Sequence, residues 1–394
     1  MFSPSPVLLL TPLRSFLLYK YAVEITDLRT PAVLVDEARL ARNIERMQSL
    51  ADGGRRRLRP HAKTHKSPEL ARRQIERGAV GICCAKIGEA EVFADAGIAD
   101  IRIPYPINPV NADRVLALLD RTHLSFIVDH LDVARGWSAA MNAARRQVDV
   151  LVKVDVGFHR CGIDPDREDA AEFVAEVAAL PGLRFRGLLS HAGHAYGATS
   201  EAEIRAIAAA EAKTLTSLAA RVQHLGVEVE EISVGATPTS RFSAELHGIT
   251  ELRPGNYVYF DRMQVAIGSA TWDDCALTVL ARVVSKPADD RIILDCGSKT
   301  LTTDLARGGA VPGHGAVFRA LDTAVPDDSL TIERLSEEHA TVRVRGRTTL
   351  APGDLVRVVP NHSCVVSNLM DAVWLVRDAC VCGPLEIAAR GRIA

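Results

Sequence analysis

A lysine set among other cations at the end of a short apolar strand is a candidate amine nucleophile. The run Arg59-Pro60-His61-Ala62-Lys63-Thr64-His65-Lys66 has that character. Neighbouring positive charge destabilises an ammonium and leaves the free amine more available to a carbonyl carbon. If the run stays extended, His61 and Lys63 face one side by the two-residue alternation of a strand. The same residues also read as a basic strand end that is simply solvated. Two glycine-bearing segments offer the complementary half of such a site: Ser233-Val234-Gly235-Ala236-Thr237-Pro238-Thr239 and Arg253-Pro254-Gly255-Asn256-Tyr257. Backbone amides and hydroxyls in loops of this kind cradle phosphate, although each segment alone is also an ordinary turn. Lysine and loops together would grip a phosphorylated aldehyde at both ends.

Two further segments close candidate strands, Asp155-Val156-Gly157-Phe158-His159-Arg160-Cys161-Gly162 and Ser190-His191-Ala192-Gly193-His194. Their Arg160 and His191 would face the ring of a bound ligand; alternatively, Arg160 pairs with an acidic neighbour at the rim. In the C-terminal third, Pro360-Asn361-His362-Ser363-Cys364 follows an apolar strand. If that run is extended, His362 and Cys364 project to the same side and can share one divalent ion. Imidazole with thiolate suits zinc best among common metals, and an open site leaves room for water or a substrate hydroxyl. A buried cysteine beside a hydrogen-bonded histidine accounts for the same two residues.

The elements that must position these groups alternate between short β-branched runs and Ala-, Glu- and Arg-rich stretches, the pattern of parallel strands with crossover helices. Candidate strands span 32–35, 58–63, 80–85, 101–105, 125–129, 148–155, 185–190 and 227–234. Eight strands favour a (β/α)8 TIM-like barrel over a doubly wound sheet. Between them run helical stretches; one opens on Ser67-Pro68-Glu69 and closes at Gly78, with proline at its first position and glycine beyond its end. Past residue 270 the texture turns to strands without long helices, so a smaller C-terminal β domain is expected. The expected division is an N-terminal extension over 1–26, a barrel over 27–268 and a β domain over 269–394 carrying the metal site, with the N-terminal strand optionally packed on it.

Lysine plus arginine (47) nearly cancels aspartate plus glutamate (49), giving a net charge of −2. No summed basic field would draw this 394-residue chain to nucleic acid or an anionic membrane, and a small neutral or zwitterionic substrate fits better. Eight cysteines, two of them adjacent at Cys83 and Cys84, do not form the dense framework of a small secreted domain, which favours a reducing cytoplasm. Pro12, Arg14 and Lys20 interrupt the apolar start before it could span a bilayer. It reads as an extension, with a signal peptide as the alternative.

Taken together, these motifs resemble the D-threonine aldolase and D-serine dehydratase family, pyridoxal 5'-phosphate (PLP) enzymes with an alanine racemase-like barrel of fold type III and a C-terminal β domain. The resemblance runs from Asp27-Leu28-Arg29-Thr30-Pro31 to Cys382. It is most specific at 59–66, 81–89, 155–162 and 360–364 with Asn368. It implies that Lys63 carries PLP as a Schiff base, and that Gly235, Thr237, Gly255, Asn256 and Tyr257 belong to the phosphate loops. Arg160, His191 and Tyr196 become candidates for the cofactor ring, and His362 with Cys364 the metal pair, with zinc first and manganese second.

Aldolases of the family typically present histidine and aspartate at that pair, whereas its dehydratases present histidine and cysteine. The resemblance thus implies a lyase for D-β-hydroxy amino acids. A dehydratase of D-serine or D-threo-3-hydroxyaspartate comes first, giving keto acid and ammonia, and a D-threonine aldolase giving glycine and an aldehyde comes second. Racemisation needs two opposed proton carriers, and the tyrosine that alanine racemases draw from the β domain has no clear counterpart here. A PLP carrier without turnover usually lacks the second domain. The resemblance also implies a homodimer, because in related racemases a partner's second domain completes the barrel mouth.

Overall fold

The computed structural model describes residues 23–306 and 311–394. The extension expected over 1–26 therefore lies, up to residue 22, outside the described residues. Among the described residues, seventeen strands form two sheets. Strand β1 is Ala32–Asp36, and the next eight are β2 Arg57–Leu58, β3 Ile82–Cys83, β4 Asp100–Pro106, β5 His123–Val128, β6 Val148–Lys153, β7 Leu183–Leu189, β8 Glu231–Val234 and β9 Glu251–Leu252. These eight pair in parallel in the order β2-β9-β8-β7-β6-β5-β4-β3. A bridge between His61 and Cys83 joins the two outer strands, so the sheet meets itself as a barrel. Crossover helices such as Glu37–Gly53, Leu131–Ala143 and Glu201–His224 lie outside it. Asp36 opens the first of these as its N-cap, accepting from the Arg39 backbone N–H at 2.9 Å.

One expectation is corrected here. The run 32–35, taken as the first barrel strand, lies in the other sheet as β1, and the eighth barrel strand is instead β9. The misplaced run is apolar and buried on both faces, which suits the centre of either sheet. The true eighth strand is two residues long, opens on Glu251 and leads into Arg253, so it carries no apolar run that marks a strand.

The second sheet comprises β1 with β10 Leu277–Ala288, β11 Arg291–Leu294, β12 Ala316–Phe318, β13 Leu330–Leu335, β14 Ala340–Val344, β15 Leu355–Val359, β16 Ala372–Arg377 and β17 Cys380–Glu386. Its order is β11-β14-β13-β12-β15-β10-β1-β16-β17, and β10 also pairs with β11. Its core is aliphatic, with Val279, Ile292, Ile332, Val342, Val356 and Val358 fully buried. β1 runs antiparallel to β10, placing Ala32 opposite Leu280, and parallel to β16, placing Leu34 opposite Trp374. Because β1 leads directly into the first crossover helix, it ties the β domain to the barrel.

The barrel interior is layered. An apolar layer of Ile127, Leu151 and Leu189 lies between a cavity at the C-terminal ends of the strands and an ionic floor. In the floor, Arg59 Nε meets Glu251 at 2.9 Å, and Arg102 meets Glu251 at 2.6 Å and Glu231 at 2.9 Å. Burial alone would raise the Glu251 carboxyl, but Arg102 and Arg59 outweigh it and hold it well below the usual carboxylate range.

Candidate active site

The strand expected over 58–63 ends at Leu58, and Ala62–Thr64 forms a single 3-10 turn capped by His61. The turn carries Lys63 over the barrel mouth, where it and His61 line one cavity of about 660 Å³. They share a face as expected, through a turn rather than strand alternation. Burial first, then the charges of Lys63 and Arg253, push the His61 imidazole well below its ordinary range, so it stays neutral.

Among the described residues, Asp304 is the only carboxylate lining that cavity. It is engaged by His362 Nδ1 at 2.6 Å. Among the described residues, no acid lies within ion-pair distance of Lys63, Lys153 or Arg160, which all line the cavity. Arg160 stacks over the Phe158 ring at 5.1 Å. His191 meets that ring edge-on at 5.8 Å, and its Nδ1 bonds the Gly235 carbonyl. Tyr196 also faces the cavity, its phenol pushed upward mainly by burial.

The glycine loops follow β8 and β9, which stand side by side next to β2, the strand that leads to Lys63. Gly235 and Gly255 line the cavity, and a side chain at Gly255 would come within 2.9 Å of the His61 carbonyl. Thr237 lies just behind the lining, with its hydroxyl buried beside the Tyr196 phenol. Asn256 faces the cavity, but its amide donates to Asp261 at 2.6 Å, Ser363 Oγ at 3.1 Å and Cys364 Sγ at 3.7 Å. Tyr257, expected in the phosphate loop, is placed elsewhere. The 3-10 turn Asn256–Val258 sends its ring into the core, where the hydroxyl accepts from Gln74 Nε2 at 2.9 Å.

His362 and Cys364 do come together, although the segment is not extended. His362 caps the helix Ser363–Leu369 and Cys364 sits in its first turn. Burial opposes the charge on His362, but Cys364, Asp261 and Asp304 outweigh it and raise the imidazole to about 10. Burial likewise opposes ionisation of Cys364, but His362 and Lys63 lower its thiol. Each residue thus favours the charged form of the other, as a cation bound between them would favour the thiolate. Asp304 holds the other ring nitrogen of His362, as a carboxylate does behind a metal-bound histidine. Among the described residues no group of three or more His, Cys, Asp or Glu could hold an ion, so this is a two-donor site with its other positions open. Such a donor set fits a divalent ion of zinc-like softness. A cavity lysine with no acid at ion-pair distance among the described residues, beside two glycine loops of which Gly255 leaves no room for a side chain, likewise fits a phosphorylated aldehyde.

The two halves meet directly. Thr64, next to Lys63, has its hydroxyl 3.2 Å from Cys364 Sγ. The Asp261 carboxylate joins the Gly255 loop to the His362 turn, accepting from Asn256 and from the Ser363 backbone N–H at 3.0 Å.

Sequence reasoning missed Lys153, Arg253, Phe158 and Asp304. Lys153 had a signal, as a lone lysine in the apolar run Val150-Leu151-Val152-Lys153-Val154. Asp304 had none, because it reaches His362 from a loop 58 residues earlier.

A barrel with a paired floor, a cationic mouth and a His–Cys pair from a second domain defines an α/β-barrel enzyme of the alanine racemase-like class. The chain matches the family models "Alanine racemase, N-terminal domain" over residues 35–263 and "Putative serine dehydratase domain" over residues 276–376. It is 37% identical to a D-threonine aldolase of Arthrobacter sp, covering 92% of this chain and 93% of that one. It is 33% identical to the D-threo-3-hydroxyaspartate dehydratase of Delftia sp. strain HT23, over 86% and 92% of the two chains. The chain belongs to this family of alanine racemase-like lyases with a serine dehydratase domain.

Solved structures agree. The D-threonine aldolase from Filomicrobium marinum superposes with a TM-score of 0.86 at 31% identity, covering 95% of this chain and 99% of that one. A D-threo-3-hydroxyaspartate dehydratase in which a cysteine is replaced by alanine, solved in the metal-free form, gives 0.86 at 30% identity over 92% and 99%. An alanine racemase of Clostridium difficile 630, at 12% identity and a TM-score of 0.67, shares the fold.

Proposed function

We propose that this chain is a PLP- and divalent metal-dependent dehydratase of D-β-hydroxy amino acids, acting on D-serine or D-threo-3-hydroxyaspartate to give keto acid and ammonia. The observation that carries this reading is the contact between Thr64 and Cys364, which sets an amine and a metal-type donor pair on one cavity. When bound, PLP on Lys63 supplies an electron sink at the α carbon, and a divalent ion on His362 and Cys364 supplies Lewis acidity at the β oxygen.

The chain's own residues do the rest. Lys63, once the substrate amine has released it, would be the amine that takes the α proton, and neutral His61 beside it adds no competing positive charge. Asp304 holds the His362 ring, and Thr64 ties Cys364 to the turn that carries Lys63, so the residues that would act at the β oxygen and at the α carbon are joined. Phe158, Pro104, Met263 and Leu305 line the same cavity and limit water beside the α carbon. Loss of the α proton and the β-hydroxyl leaves an enamine that hydrolyses to the keto acid and ammonia. Zinc is the ion proposed, with manganese second. The cellular setting proposed is the cytoplasm, and the assembly a homodimer; among the described residues no helix is long and apolar enough to cross a membrane.

Cysteine as the second metal donor favours dehydration. The 37% identity to a named D-threonine aldolase supports the second reading, in which the Cα–Cβ bond breaks instead. Purified holoprotein given D-serine, D-threonine, D-threo-3-hydroxyaspartate and their L-isomers, with and without chelator, separates the two. Keto acid and ammonia from a D-substrate, lost with chelator, is the expected result. Glycine with an aldehyde as the dominant product would overturn the dehydratase.

A further inference from the structure

Lys63 is not the only lysine facing the cavity. Lys153 ends β6, and in the barrel order β2-β9-β8-β7-β6 it stands four strands from β2, the strand that leads to Lys63. In a ring of eight, four strands either way is the opposite wall. The side chain is 4% exposed. Leu151, two residues earlier on the same strand face, belongs to the apolar layer with Ile127 and Leu189, so Lys153 rises from that layer into the space above.

A buried ammonium ordinarily has a carboxylate beside it. Among the described residues Lys153 has none within ion-pair distance. The groups around it are Arg253 just after β9, Arg160 and Cys161 from the loop after β6, Glu211 from the helix Glu201–His224, and His191 after β7. Arg253 and Arg160 repel its charge. Glu211 accepts from the Ser190 hydroxyl at 2.5 Å through one oxygen, and it stands beyond ion-pair distance of Lys153. Burial and the two arginines accordingly push the Lys153 ammonium down to about 7. The arginine beside it is tethered, for Arg253 donates to Ser233 Oγ at 2.6 Å and to the Ser190 carbonyl, whereas the amine of Lys153 has no such anchor.

We propose that Lys153 is an anion-binding residue of this site, receiving an anionic oxygen on the wall opposite Lys63. Resting on the functional reading above, that oxygen is either the phenolic oxygen of the cofactor or the α-carboxylate of the substrate; the cofactor phosphate is already claimed by the glycine loops beside Lys63. An ammonium with three free donors holds a carboxylate or phenolate by charge-assisted hydrogen bonds, and burial strengthens them.

The test uses holoprotein with Lys153→Met, which keeps the length of the side chain and removes its charge, and Lys153→Arg, which restores the charge. One arm measures PLP affinity and the pH titration of the bound cofactor's absorbance. The other measures binding of D-alanine, which has the carboxylate but no β-hydroxyl to lose. Loss of a charged hydrogen bond should weaken one of the two by about tenfold or more in Lys153→Met, with Lys153→Arg recovering most of it. A change confined to D-alanine assigns the carboxylate, and one confined to the cofactor assigns the phenolic oxygen. Both arms within about threefold of wild type in a protein of unchanged thermal stability would overturn the proposal and leave Lys153 solvated only. If Lys153→Met does not fold, the same two arms are read in Lys153→Gln. Wild-type protein that binds PLP yet converts no D-substrate would sink the proposed reaction, while the cofactor arm would still report on Lys153.

Discussion

The floor and the mouth of the barrel are both rich in charge, and they treat it in opposite ways. In the floor every buried ion has a counter-ion: Arg59 with Glu251 and Asp100, and Arg102 with Glu251 and Glu231. At the mouth, Lys63, Lys153 and Arg160 share a cavity whose single carboxylate among the described residues is engaged by His362. Burying an unpaired charge costs several kcal/mol; Arg160 is exposed and Lys63 half-buried, but Lys153 is buried, so the upper cations face a space that a ligand, rather than a side chain of the fold, would neutralise. Paired charge here holds the fold, and unpaired charge marks the site.

Removing Lys63 tests the mouth most severely. Lys63→Ala should abolish the PLP absorbance and lower turnover by about three orders of magnitude or more. Lys66 should not substitute, because its amine is buried against Glu89; an unchanged cofactor spectrum would show another lysine at work. In the floor, Glu251→Gln leaves Arg59 and Arg102 without their common partner and should cost about 3–5 kcal/mol of stability. KM for a D-substrate should hardly move, and a large rise in KM with native stability would erase the distinction between the two regions.

Asp304→Asn is subtler. It keeps the shape behind His362 but weakens the ring's orientation, and should lower metal affinity by about 10–100-fold, read by chelator titration. Affinity equal to wild type would leave Asp304 a rim residue only.

The smallest effect belongs to His123, at the floor's edge, raised to about 9 chiefly by its bonds to Asp100 and Asp149. A raised imidazole stabilises the fold fully below its unfolded value of about 6.5, and that stability is lost as pH rises through the folded value. The ring is 49% exposed, so screening limits the effect to about 1 kcal/mol or less. Urea midpoints at about pH 6 and about pH 10 should therefore fall for wild type and fall less for His123→Gln.

How much of this was legible depended on whether the signal was local. The parallel strands could be read from apolar runs between helical stretches, because alternation is written within each unit. The eighth strand could not: Glu251–Leu252 is held by its neighbours' backbone and by the ionic floor, not by a run of its own. The strand at 32–35 was visible but unplaced, since an apolar run buried on both faces suits either sheet. Lys63, His362 and Cys364 could be singled out from residue type together with the family resemblance, whereas the strand alternation expected to pair them is replaced by a 3-10 turn at 62–64 and a helix cap at 362. Asp304 was invisible because its meaning arises only where the chain returns to His362, and Tyr257 was misplaced because a 3-10 turn separates neighbours that a loop reading keeps together.

The identity of the Schiff-base lysine can be read directly. Holoprotein reduced with borohydride, digested and analysed by mass spectrometry should carry the pyridoxyl tag on the peptide containing Lys63 and at that residue. A tag fixed instead to Lys66 or Lys153, or no tag on a protein that binds PLP, would contradict the assignment of the unpaired mouth as a site built around Lys63.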